Sequence, residues 1–515
     1  MTGADAYGQA SLPTANPTKS FWHRDPSKVL FGHRTTPSLP TEADVVVIGS
    51  GIAGASAAHF LRADFRGKDL DIVMLEAREA CWGATGRNGG HCQPAIYASP
   101  PEIGAFELYN YQALESLVDE HSIPCEWRSV SGCHAYMDES LFAVGLNRVE
   151  ELQKTNPELA KLVKVITKGS THPSLADLRV PTAVGAILQT NAASLSPYKL
   201  FSWILENLLS FNGSYGEPMF NLQTNTPVTH VQKVADESWI VHTDRGMIAT
   251  KRVLLTTNAY TSHLLPKFSD LIVPVQGEMS ALLPPASMVP EMEIHQRLQH
   301  TYAFIGHGSQ NINQDDYLVQ RPFSLSSSAS RGKNGGELMF GGGRRCAKNA
   351  GLGVSNDSFI DPSAAAYLRR ELNVVLDLNN KDEELEATYE WSGIMGFSRD
   401  GCPWVGELSD ELGVGGGKGL WICAGFTGHG MPNAHLCAKA IVELMMGTQE
   451  QDVELPEVYR PPLSTYQDGD EVEQGIDQGV DSGSIVGLSE AILDPLSARA
   501  ARNDDRAFVV YERIA

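Results

Sequence analysis

Gly49, Gly51 and Gly54 follow directly on the β-branched run Val45-Val-Val-Ile48, and their spacing suits holding a pyrophosphate against bare backbone. Gly49 allows the tight turn, Gly51 lets the main chain approach phosphate, and Gly54 lets the next helix pack closely on the strand. That helix, opening at Ile52 and Ala53, points its positive end at the same anion. A second apolar strand, Asp71-Ile-Val-Met-Leu-Glu76, follows. Its terminal acid, with Ala77 beside it, stands about twenty residues on, where a ribose hydroxyl needs an acceptor.

The next loop favours FAD over NAD. Ala84, Thr85, Gly86, Gly89 and Gly90 give a flexible backbone that folds over a flat ligand and presents N–H groups to it. Within it, Arg87 is placed to meet phosphate or the electron-rich edge of a flavin, and Asn88 can donate and accept. His91 and Cys92 follow; a flavin contact and a local structural hydrogen bond are both open for His91, while Cys92 reads as a buried small hydrophobe. Far downstream, Trp421-Ile-Cys-Ala-Gly-Phe-Thr-Gly-His-Gly-Met431 repeats the arrangement of strand, glycine turn and helix, with a helical stretch from Ala434 to Met446.

Two such turns at opposite ends of one chain resemble the D-amino-acid-oxidase-like superfamily of FAD-dependent amine and amino-acid oxidoreductases. The loop Gly83-Ala-Thr-Gly-Arg-Asn-Gly-Gly90 is most similar to the branch that includes gamma-glutamylputrescine oxidase. The resemblance runs from about Asp44 to Met446. It implies an α/β fold: a discontinuous Rossmann-like FAD-binding domain with a β-sheet-based α+β substrate domain, the glutathione-reductase-like FAD fold. Thr226-Pro-Val-Thr-His-Val231, Ser238–Thr243 and Val253–Tyr260 resemble the internal β-meander and return strand, which implies that the Val228 backbone meets the adenine. Gly425, Gly428, His429, Gly430 and Met431 would lie at the isoalloxazine ring, with His429 contributing backbone more than proton transfer. His429 and His91 are the candidate catalytic residues, and no metal is implied.

Two departures narrow the resemblance. Gly393 stands where related enzymes carry a flavin-linking cysteine, so FAD is expected to be non-covalent. Met431-Pro432 replaces a lysine that holds a substrate carboxylate, which favours an amine over a simple α-amino acid. Arg344 and Arg345 are the alternative cations, although solvated surface arginines are the expected reading. Met339 stands where an oxygen-activating lysine would be, so oxidase behaviour is less secured than amine oxidation. The resemblance implies oxidation of a C–N bond with hydride transfer to flavin N5, O2 as acceptor and H2O2 as product. A dehydrogenase with another acceptor and a flavin-binding protein without amine oxidase activity are the alternatives.

The 515 residues are long enough for two domains, and a formal charge of −22 argues against nucleic acid or anionic membrane as a partner. Eight cysteines without a CxxC pair, and the absence of a secretory pattern, lead to the expectation of a reduced, cytoplasmic protein. The expected organisation is an arm at 1–40, with Phe21 and Trp22 packed on the body. A flavin domain is expected from 41–95, 185–265 and 390–447, a substrate domain from 96–184 and 266–389, and an acidic tail at 448–515. Phe106 to Val118 has helical apolar spacing, Leu271–Gln276 and Glu337–Gly341 read as strands, and Ser324–Gly336 reads as a surface loop.

Overall fold

Val45 to Ile48 point alternately to opposite sides of their strand, and both sides are buried. In the computed structural model, which describes residues 9–210, 219–234, 237–285, 288, 297–306, 316–323, 335–378, 384–413 and 417–462, these four side chains are at most 6% exposed. Such two-sided burial is what a central parallel strand requires. Val45 and Val47 join a cluster with Ala55, Ala58 and Leu61 of one helix and Ala438 and Ile441 of another. Val46 and Ile48 join Val228, Trp239 and Leu255 on the opposite side.

The first sheet is built from β1 (Glu42–Ile48), β2 (Ile72–Leu75), β3 (Phe220–Gln223), β4 (Gly246–Leu255), β5 (Trp404–Glu407) and β6 (Leu420–Ala424). Their spatial order is β5-β6-β4-β1-β2-β3, parallel throughout except for the β5–β6 pair. The hairpin Val228–Lys233 with Trp239–Thr243 adds to the edge of β4. Helix α1 (Ile52–Ala63) follows β1, and α3 (Ala434–Met445) follows β6. Both glycine turns therefore lie at the C-terminal ends of parallel strands, where open α/β sheets bind ligands.

The second sheet has nine strands among the described residues. At one end of it, Ile272–Leu282 pairs with the edge strand Ala387–Ser398 and with Leu338–Gly342, all antiparallel. Helix α2 (Pro101–His121) lies between the sheets and starts with Pro101 at its first turn, where the missing N–H costs nothing. The expected helix at 106–118 and the expected strand near 271 are thus present and longer than read, and the strand expected at 337–341 is present one residue later, at Leu338–Gly342.

Three strands of the second sheet lie at or near the expected domain limits. His91–Cys92, Gly185–Ser194 and Ala387–Ser398 all pair within the second sheet, so the boundaries at 95, 185 and 390 fall inside or beyond strands of that sheet. Ladder pairing, not sequence similarity, decides which sheet a strand joins. The N-terminal arm is equally integrated from residue 9. Phe21 and Trp22 are buried, Ser20 Oγ donates to the Gly86 carbonyl at 2.6 Å, and Trp22 Nε1 donates to the Asn88 carbonyl at 2.6 Å. At the other end, Val453 and Tyr459 are buried, so the chain beyond 448 packs on the body at least to residue 462. The acidic stretch at 468–473 and most of the expected loop at 324–336 lie outside the described residues. Among those described, no helix is long and apolar enough to cross a membrane.

Candidate active site

At the first turn, Gly51 is the N-cap of α1 and brings no side chain to the helix's opening amides. A Cβ on Gly51 would stand 2.9 Å from Thr85 Oγ1, and one on Gly54 would collide with the Gly49 carbonyl. Thr85 Oγ1 accepts from the Ile52 amide at 2.8 Å, which ties the loop after β2 to the start of the helix. Glu76 closes the far side. Its carboxylate accepts from Ser50 N at 3.0 Å, Ser50 Oγ at 2.6 Å and Arg78 N at 2.9 Å. Bare backbone, a helix N-terminus and a buried acid at the end of β2 together fit the pyrophosphate and ribose of a dinucleotide.

The second turn is held by side chains from elsewhere. Asn258 Oδ1 accepts from Gly425 N at 3.0 Å and Phe426 N at 3.3 Å. From α2, Asn110 Nδ2 donates to the Met431 carbonyl at 3.1 Å, and Asn110 Oδ1 accepts from Leu436 N at 2.9 Å. Thr427 and Gly428 both have positive φ, 48° and 76°, so the chain curls tightly before presenting His429. His429 Nε2 lies 3.2 Å from Glu107 Oε2, also on α2.

A cavity of about 490 Å³ joins these turns to the face of the second sheet. It is lined by Gly49, Gly51, Ile52, Ala53, Glu76, Ala77, Ala84, Thr85, Arg87, Asn88, His91, Val228, Gly428, His429, Gly430 and Met431, all expected from the sequence. Gly54, Gly86, Gly89, Gly90 and Gly425 do not line it. They act one layer back, as where Gly89 N donates to Tyr317 Oη at 2.7 Å. Met339 is buried in its strand and also stays out of the cavity.

Several side chains are turned otherwise than expected. The Arg87 guanidinium faces Asp357 Oδ2 at 3.2 Å, with Nε donating to the Ser392 carbonyl at 2.6 Å and Nη2 to the Thr18 carbonyl at 2.7 Å. Asn88 folds into its own loop, donating to the Thr85 carbonyl at 3.0 Å and accepting from Gly90 N at 2.8 Å. Arg344 is buried and lines the cavity with its guanidinium carbon 5.2 Å from the Phe397 ring centre; the surface reading fails for it because the turn after Leu338–Gly342 folds inward. Gly393 lines the cavity where a Cβ would stand 3.2 Å from Arg87 Cβ.

Three histidines face this space with different affinities for protons. Burial pushes His91 down to about 3 and His134 to about 4, with neighbouring imidazoles adding to the effect, so both are neutral near pH 7. Burial also opposes a charge on His429, but the Glu107 carboxylate outweighs it and raises that imidazole above its ordinary value. Although 45% of the His429 side chain is accessible, the ring sits deep in the fold with its open side on the cavity.

The whole arrangement is that of a flavoenzyme, and similarity to known proteins agrees. Residues 44–444 match the family of FAD dependent oxidoreductases (DAO), and the chain belongs to that family. It is 22% identical over 448 residues to a probable oxidoreductase OrdL of Haemophilus influenzae, covering 81% of this chain and 87% of the relative. It is also 22% identical over 424 residues to the gamma-glutamylputrescine oxidoreductase of Escherichia coli, covering 79% and 84%. In three dimensions it is similar to glycine oxidase from Geobacillus kaustophilus, with a TM-score of 0.61, 18% identity and coverage of 82% and 98%. Iminodiacetate oxidase from Chelativorans sp. BNC1 superposes with a TM-score of 0.60, 16% identity and coverage of 81% and 98%. The protein is thus an FAD-dependent oxidoreductase with a Rossmann-like cofactor fold.

Glu107, Asn110, His134, Asn258 and Tyr317 were not anticipated from the sequence. A signal existed for two of them. Glu107 and Asn110 stand three apart on α2 among Ile103, Phe106, Leu114 and Val118, so they lie on its buried face. Polar residues there need partners, and the second glycine turn supplies them.

Proposed function

We propose that the protein oxidises a C–N bond of a small amine or amino-acid-like molecule to an imine, which water then converts to a carbonyl, with O2 as electron acceptor and H2O2 as product. The observation that carries this reading is the cavity itself. It runs from the pyrophosphate turn to a pocket walled by Met279, Ala303, Ile305 and Tyr317, with neutral His91 and His134 beside them.

FAD supplies the hydride acceptor. On this reading the backbone at Gly49–Ala53 holds its pyrophosphate, Glu76 its ribose, Val228 its adenine, and Gly428–Met431 the ring end. With Gly393 in place of a cysteine, the cofactor is held without a covalent bond. The apolar walls orient the substrate and exclude water, and neutral His91, whose buried Nε2 meets no partner among the described residues, can accept a hydrogen bond from an amine without repelling it. The names of the relatives, an oxidoreductase of gamma-glutamylputrescine and oxidases of glycine and iminodiacetate, favour such nitrogen compounds. Because all eight cysteines are free and seven are buried, a cytoplasmic setting is the reading adopted.

Arg344 on the cavity wall favours a second version, in which the amine also carries a carboxylate. Anaerobic mixing with polyamines, N-alkyl amino acids and plain α-amino acids, followed by flavin absorbance, tests both. Bleaching by one of these classes, followed by peroxide on admission of oxygen, is the expected result. If none bleaches the flavin while an alcohol or a glycerol phosphate does, the C–N assignment fails.

A further inference from the structure

Glu107 is a carboxylate deep in the protein whose only ion pair among the described residues is His429. Its side chain is 3% exposed. Oε2 accepts from Ala95 N at 2.6 Å and faces His429 Nε2 at 3.2 Å, while Oε1 accepts from Asn433 Nδ2 at 2.8 Å. Asn433 is fixed in turn, its Oδ1 accepting from Tyr459 Oη at 2.9 Å and its Nδ2 also donating to the His429 carbonyl at 3.0 Å. A buried charge needs a partner, and here that partner is an imidazole opening on the cavity. Since a carboxylate only accepts, the hydrogen on Nε2 is committed to Glu107, and the lone pair of neutral His429 is on Nδ1. Nδ1 has no hydrogen bond to any described residue.

We propose that His429 takes the proton that a substrate ammonium must lose before oxidation, and that Glu107, backed by Asn433 and Tyr459, is the positioning residue that orients it and sets its basicity. The inference rests on the amine-oxidation reading above. In the step, the ammonium N–H bond breaks and its proton forms a bond to Nδ1 of neutral His429, leaving R2CH–NH2 and an imidazolium. FAD held at the two glycine turns would supply the acceptor for the α-carbon hydride, the nitrogen lone pair then closing the C=N bond to leave an iminium. His429 returns its proton to solvent before the next turnover.

The electrostatic setting suits this task. Besides Glu107, the titratable groups within electrostatic reach of His429 are His91 and His134, and the buried thiols Cys92 and Cys437 stand near Glu107. The two histidines are neutral near pH 7, and burial keeps both thiols protonated. One charge therefore dominates the basicity of His429, and it belongs to Glu107. An imidazole raised above its ordinary value is a better proton acceptor than either neighbouring histidine, whose affinity for protons is depressed.

Two measurements on the FAD-loaded protein test this. The first is a histidine NMR titration without substrate, with the His429 signal assigned by its loss in His429→Gln. Glu107→Gln keeps the shape and the acceptor oxygen but removes the charge, so the His429 titration is expected to move about one pH unit or more towards acid. No movement overturns the inference. The second is the pH profile of anaerobic flavin reduction by methylamine, putrescine and sarcosine, using whichever reacts. The acid limb of the rate is expected to move with the NMR titration in Glu107→Gln. In His429→Gln, whose amide can still donate to Glu107, that limb is expected to vanish and the rate to fall about 10²- to 10⁴-fold. A limb unchanged in either variant means His429 is structural and overturns the inference, and His429→Gln decides the matter alone should Glu107→Gln fail to fold. If the parent reduces its flavin with none of these amines but with an alcohol, the amine reading itself falls, while the NMR titration still reports on the pair.

Discussion

Arg87 and Asp357 form a buried ion pair, with Nε 3.2 Å from Oδ2 and side chains 1% and 0% exposed. The same carboxylate meets Arg78 Nη1 at 3.0 and 2.9 Å, so one buried acid is shared by two buried guanidiniums. Arg78 reaches it from just after β2, and Arg87 from the far side of the loop over the cofactor cavity. That loop is thereby anchored by charge as well as by backbone.

Asp357→Asn removes the carboxylate that both guanidiniums contact, and removing one member of a buried pair costs about 3–5 kcal/mol. Urea denaturation should show a loss of that size with an unchanged slope. Arg87→Ala is expected to destabilise the fold through the same contact and through the Ser392 and Thr18 carbonyls, rather than only to weaken cofactor binding. An Arg87→Ala protein with parental stability would return the guanidinium to a purely ligand-facing role.

Gly51→Val acts on the opposite principle. Gly51 has φ of −71°, a value open to any residue, so the substitution does not strain the backbone. The added side chain would stand against Thr85 Oγ1 and fill the approach to phosphate. Titrating the apoprotein with FAD while following flavin fluorescence should show no binding, with circular dichroism unchanged. Parental affinity would mean that the turn is structural.

Non-covalent attachment is directly measurable. With glycine at 393, acid precipitation is expected to leave all the flavin in the supernatant. Yellow colour retained in the washed pellet would disprove it.

Buried neutral histidines make the fold sensitive to acid. Burial, with His59 adding to it, pushes His435 down to about 3, and its Nδ1 lies 2.9 Å from Ser56 Oγ between α3 and α1. The unfolded chain takes up its proton near pH 6.5 and the folded one only near 3, so this histidine's stabilising effect is intact above 6.5 and is lost as pH falls between them. The slope is up to about 1.4 kcal/mol per pH unit. His435→Gln should flatten the decline of the urea midpoint between pH 6.5 and 4. His429 works in the opposite sense: its raised affinity stabilises the fold below pH 6.5, and the gain disappears as pH rises through its folded value.

The cofactor class was legible in the sequence because its signals are local. A β-branched strand, three glycines and a helix within about fifteen residues fix their own geometry, so the contacts follow from spacing alone. Glu76 could be placed for the same reason, being the end of the neighbouring parallel strand. Contacts across the fold have no such signature. Glu107 meets His429 across 322 residues, and Arg87 reaches Ser392 across 305. Those pairings arise because α2 crosses behind the second glycine turn and because Ala387–Ser398 joins the second sheet beside the cofactor loop. Sequence could show that Arg87 and His429 stood in loops fit for a flavin. Only tertiary packing decided where each side chain points, because a buried charge turns to whatever partner the topology brings within reach.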